Sequence, residues 1–162
     1  MGWSSNGQES GFSLREWEFD SPPPCHILDT MKVIIAGSRS IPPHIGDELV
    51  RMATRIAALR GWEITEVVCG EARGIDLCGR RWAERHCIAV KSLPADWSRG
   101  RAAGFLRNGE MAGYGDALIA ITNGSPGTRD MIQKAKARKM PMVIIAISGG
   151  IEWIAGTSEN RF

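Results

Sequence analysis

Three short glycine-containing segments hold the residue types that can grip an anion. The first is Gly37, Ser38, Arg39 and Ser40, where glycine opens the backbone to close approach, two hydroxyls offer hydrogen bonds and a guanidinium can pair bidentately with phosphate. The second, residues 70–76, supplies Gly70 and Gly74 with Arg73 between them, and Asp76 at its end. The third, residues 123–130, supplies Gly124, Ser125 and Gly127 ahead of Thr128, Arg129 and Asp130. Each also has a plainer reading as a turn, with Asp76 as an N-cap or first-turn acid, Thr128 as an N-cap and Glu71 simply solvated. One such loop says little. Three that leave strand ends and enter helices point to a shared phosphate site, because free N–H groups and helix dipoles converge there.

A metal site is not expected: Cys25, Cys69, Cys78 and Cys87 form no C-x-x-C pair and have no histidine at zinc-ligand spacing. Cys69 and Cys78 sit in apolar or amphipathic stretches and read as reduced packing residues, which points to a reducing compartment. No cofactor is implied.

The same residues carry a resemblance. Gly37-Ser38-Arg39, the loop Gly70-x-Ala72-Arg73-Gly74-x-Asp76, Ala95-Asp96-Trp97, Ala103-Gly104, Arg107-Asn108-x-x-Met111 and Gly127-Thr128-Arg129-Asp130-Met131 resemble, in order, the YspA-like (YpsA-related) branch of the SLOG superfamily. The resemblance runs from about residue 32 to 147 and implies a nucleotide-derived ligand, with no assigned reaction. It adds Arg107 and Asn108 to the candidate ligand contacts. LOG phosphoribohydrolases, more distant members, carry a catalytic glutamate where this chain has Met131, and Asp130 stands one residue off, about 100° around a helix. The DNA-processing protein DprA, another member, shares the second loop and binds single-stranded DNA, so Trp97 reads either as a cover over the core or as a base-stacking surface.

Binding of a nucleoside monophosphate or ADP-ribose-like compound is therefore the leading expectation, with phosphate on Arg39, Arg73 and loop N–H groups and ribose on Asp76 or Asn108. One alternative is hydrolysis or transfer at an N-glycosidic bond, with Glu71, Asp76 or Asp130 stabilising a sugar cation or activating water. Another is single-stranded DNA binding in the manner of DprA.

Those loops need a scaffold, and the pattern supplies one. Residues 33–36 are an unbroken apolar run of the kind a strand covered on both faces shows. Ile45, Leu49, Met52, Ile56 and Leu59 then recur at helical spacing and predict an inward face, ended by Gly61. The cycle repeats: a strand at 66–69 precedes a helix to about residue 86 with Ile75, Cys78 and Trp82 aligned. A strand at 88–93 then leads to a helix at 102–114, and another at 116–122 to a helix at 128–139 with Met131, Ile132 and Ala135 facing in. A fifth strand covers 142–147. Alternation of this kind predicts a doubly wound, Rossmann-like parallel α/β sheet of about five strands with helices on both faces.

The 162 residues, 43% of them hydrophobic, suit one such domain at 31–150, with an N-terminal arm or linker at 1–30 and a C-terminal tail at 151–162. Phe12, Leu14, Trp17 and Phe19 in the arm are expected to dock on the domain or on a second copy, giving a homo-oligomer. A net charge of +2 argues against non-specific duplex binding. The sequence shows neither a membrane span nor a signal-peptide layout, so the expected location is cytoplasmic.

Overall fold

The structure, a computed structural model, describes residues 29–147 and 151–156. The expectations for Phe12, Leu14, Trp17, Phe19 and Cys25 lie outside the described residues. The elements are β1 (Asp29–Gly37), α1 (Pro43–Leu59), β2 (Trp62–Cys69), α2 (Ile75–Arg85), β3 (Ala89–Ser92), α3 (Ala103–Tyr114), β4 (Ala117–Thr122), α4 (Pro126–Ala137), β5 (Met142–Ile147) and β6 (Ile151–Gly156). A 3-10 segment, Trp97–Ala102, leads into α3.

The sheet order is β3-β2-β1-β4-β5-β6, and β1 to β5 all run parallel. This is the expected doubly wound arrangement, with its switch point between β1 and β4. The sheet continues past β5: Ile151–Gly156, placed in the tail from sequence, pairs antiparallel with β5. No described helix is long and apolar enough to cross a membrane.

Two cores follow from strand alternation. Val33, Ile35, Val67, Ile119 and Ile121 face α1 and α2, while Ile34, Ala36, Val68, Leu118 and Ala120 face Met111 of α3 and Met131 and Ala135 of α4. The four parallel crossovers thus place one pair of helices on each face.

The α1 face departs from its expectation. Its inward stripe is Gly46, Leu49, Val50, Ala53, Thr54 and Ala57, whereas Ile45, Met52 and Leu59 are exposed, Leu59 by 88%. The two stripes have the same spacing and differ by one residue, about 100° of rotation. Size decides between them. The buried stripe is the one that holds Gly46, Ala53 and Ala57, and it packs tightly on α2, where a Cβ on Gly46 would stand 2.6 Å from Cys78 Sγ. In α2, Ile75 and Cys78 are buried as expected, and Trp82 is half-buried.

Cys69, Cys78 and Cys87 are free thiols. Burial pushes the Cys69 thiol up to about 12 and that of Cys78 up to about 11, so both stay protonated and behave as packing groups.

Gly79 of α2 is similarly constrained, because an added Cβ would lie 2.6 Å from Ile35 Cγ2 and 2.8 Å from its Cβ. Alanine gains about 1 kcal/mol of helix propensity over glycine. Overpacking against a stiff β-branched core residue costs about 1–3 kcal/mol and opposes that gain. Gly79→Ala is expected to lower the denaturant midpoint, and a raised midpoint would show that the two elements can separate freely.

Candidate functional site

The chain leaves the paired ends of β1 and β4 toward helices on opposite faces of the sheet, and a cavity of about 460 Å³ opens at this switch point. Its walls come from the loop after β1 (Gly37, Arg39, Ser40), the second loop (Ala72, Asp76), the 3-10 segment and α3 (Trp97, Arg101, Phe105, Arg107, Asn108) and the start of α4 (Ser125, Gly127, Thr128). Met131 closes part of the apolar side with Ala36. Volume and lining fit a small-molecule site.

Asp76 organises this region. It occupies the first turn of α2, is buried, and accepts hydrogen bonds from the backbone N–H groups of Ala72, Gly37 and Gly70. Desolvation raises its pKa from the ordinary 3.8 to about 6, against the opposing pull of Arg107 and those three donors. Arg107, buried on α3, donates to the Gly70 carbonyl and, through Nε, to Asn108 Oδ1 at 3.2 Å. Asn108 in turn donates from Nδ2 to Gly127 O (3.1 Å) and to Asp130 Oδ2 (3.0 Å). One polar chain therefore joins all three loops.

The first and third loops are also stitched directly. Ser38 Oγ accepts from the Asn123 N–H at 3.0 Å and lies 3.0 Å from Ser125 Oγ, which is 2.9 Å from Thr128 Oγ1. Asn123 Nδ2 donates to Ser40 Oγ at 2.6 Å.

Several expected contacts sit elsewhere. Arg73 is exposed and Gly74 borders the first loop; neither lines the cavity. Gly74 needs its glycine for another reason: φ is +83°, and a Cβ would stand 2.5 Å from Ser38 O. Gly70 leaves room for the Asp76–Arg107 pair, since its Cβ would fall 2.7 Å from Asp76 Oδ2. Ser38 is buried in loop-to-loop bonding, and Gly124 lies outside the lining with its carbonyl held by Arg129 Nη2 at 2.8 Å.

Among the candidate acids, Glu71 is paired rather than solvated, bonded to Arg80 and Ser92 beyond the cavity wall. Asp130 is held by Lys134 at 2.6 Å and by Asn108. Asp76 is the one carboxylate among the described lining residues. Thr128 is not the N-cap of α4. That position is Ser125, Pro126 takes the first helical position, and Thr128 is buried one turn in. No side chain caps α4, so the N–H groups of its first turn remain to meet whatever enters the cavity.

Sequence reasoning did not propose Arg101 or Phe105 as contacts, whereas Ser40, whose hydroxyl it offered in the first loop, lines the cavity. Arg101 carried no loop signature, because it belongs to a 3-10 segment brought over the cavity by Gly100 at φ +82°. Trp97, 57% exposed, lies on the cavity wall beneath Arg39, whose Cζ is 5.7 Å from its ring centroid.

The strand order and the cavity at the switch point define a Rossmann-like α/β domain. Residues 31–100 match the model of the YAcAr family, described as the YspA, cpYpsA-related SLOG family, and over this stretch the chain is similar to that SLOG branch. The matched residues hold the first two loops and most of the 3-10 segment, while Arg107, Asn108 and the third loop follow them. Comparison with curated proteins and with solved structures finds no match.

The raised Asp76 pKa has a signed consequence. Between pH 4 and 6 the folded protein retains a proton that the unfolded chain has released, so this group's contribution to stability is lost as pH rises through about 6. The unfolding free energy of wild type minus that of Asp76→Asn is expected to fall across that interval and to level off above it. A difference that rises with pH would contradict the assignment.

Proposed function

We infer that the cavity binds a nucleotide-derived ligand and holds it without cleaving it. The observation that carries this reading is the meeting of three features in one pocket. Arg39 and Arg101 line it without an ion-pair partner among the described residues, the uncapped N-terminus of α4 opens into it, and Trp97 and Phe105 supply ring surfaces. Guanidinium groups and helix N–H donors suit phosphate, and aromatic faces suit a base. Three of the four or so acceptor directions on Asp76 are taken by backbone donors, leaving about one for a ribose hydroxyl.

The absence of cleavage is supported by where the acids lie. Glu71 and Asp130 are tied into pairs outside the lining, and Met131, which lines it, has no proton to give or take. Asp76 is the group that would have to act in a hydrolytic alternative, and its three backbone bonds fix it in a structural role.

Calorimetry with nucleoside monophosphates, run beside chromatography for released base, tests both halves. Arg101→Ala is expected to weaken binding by about 1.5–3 kcal/mol, the range for a charge-assisted hydrogen bond, with the fold intact. Catalytic release of free base would overturn the binding reading. If Asp76→Asn then stopped the release while the protein stayed folded, Asp76 would become the acid of a glycosidase.

A further inference from the structure

The described arginines differ in their pairing, and those without an ion pair among the described residues include Arg55 of α1 and Arg138 after α4 as well as a group at the cavity edge. On α1 and α2, Arg51, Arg80, Arg81 and Arg85 each pair with a carboxylate. At the C-terminal edge of the sheet, Arg39, Arg73, Arg99, Arg101 and Arg129 are exposed, and none forms an ion pair with a described residue. The acids of that edge are already engaged: Glu71 by Arg80, Asp96 by the Ser98 N–H and hydroxyl, Asp130 by Lys134 and Asp76 by Arg107. A chain of net charge +2 thus gathers five arginines without a direct ion pair at this edge, Arg99 being attracted by the nearby Asp96.

Their arrangement is continuous. Gly74 packs on the backbone of Ser38 and Arg39, which brings the loop that bears Arg73 against the first loop. Arg39 lies over Trp97, the first residue of the 3-10 segment that bears Arg99 and Arg101. The two cavity arginines suffice for one phosphate dianion, which leaves Arg73 and Arg99, exposed and outside the lining, without a role in holding a monophosphate.

We propose that this arc reads a polyphosphate chain, so that the ligand is a nucleoside triphosphate, or another nucleotide with a chain of comparable charge, in preference to a monophosphate. The inference rests on the cavity being a nucleotide site. One phosphate sits against the N-terminus of α4, and the outer phosphates leave the cavity across Arg39 and Arg101 toward Arg73 and Arg99.

The test titrates the full chain with adenosine and guanosine mono-, di- and triphosphates, inorganic tripolyphosphate and oligothymidylates of increasing length. Triphosphate is expected to bind at least about tenfold tighter than monophosphate at ~0.1 M salt, with the gap closing as salt rises. Arg73→Ala combined with Arg99→Ala is expected to shrink that gap to within about threefold while monophosphate affinity holds. Equal binding of mono- and triphosphate to wild type would overturn the proposal and leave the nucleotide reading standing. Tripolyphosphate matching the triphosphate would retain the arc as a phosphate-chain reader and overturn the nucleotide reading. No binding by any phosphate compound would overturn both, and affinity that climbs with oligothymidylate length past the triphosphate would reassign the arc to single-stranded nucleic acid.

Discussion

A single buried carboxylate ties together the end of the sheet that carries the cavity. Asp76 receives N–H groups from Gly37 on one loop and from Gly70 and Ala72 on another, and it faces Arg107 from a third element. Burying a carboxylate is costly, and here backbone donors and one guanidinium offset the cost without extinguishing it, as the upward pKa shift records. Removing either charge would leave the other desolvated. The loops are therefore held by groups whose energetic stake is large, which suits a site that must keep its shape when empty.

From that pair the constraint spreads outward. Arg107 fixes the Gly70 carbonyl and orients Asn108, and Asn108 reaches the Gly127 carbonyl and Asp130 at the mouth of α4. The glycines of the first two loops serve the same end. Gly37, Gly70 and Gly74 have no room for a Cβ, because β4, the Asp76–Arg107 pair and the first loop respectively occupy that space. Gly127 differs, since a Cβ there would meet nothing within 4 Å, and its carbonyl is the group that Asn108 holds.

The electrostatic layout has a matching logic. Glu71, Asp130 and Asp76 each face a protein cation, so the positive ends of Arg39 and Arg101 and the first turn of α4 are left unanswered. Both cavity rings already meet a cation, Trp97 from Arg39 and Phe105 from Lys134 at 6.0 Å from its centroid.

Sequence alone determined the alternation of strands and helices, because buried parallel strands are runs of apolar residues and each is closed by glycine, proline or polar punctuation. It also located the three loops and named Arg39, Asp76, Arg107, Asn108 and Gly127, all of which the fold brings to one cavity. Tertiary structure decided the rest. The inward face of α1 depended on how closely it could approach α2, a matter of side-chain size that periodicity does not encode. Residues 151–156 became a strand because the edge of β5 offered unpaired backbone groups, which no local pattern announces. Arg73, an expected contact, lies outside the lining and Arg101, which the sequence did not single out, lies in it for a similar reason: a loop residue's place is set by the backbone packed beneath it, here Gly74 against the first loop and the turn at Gly100.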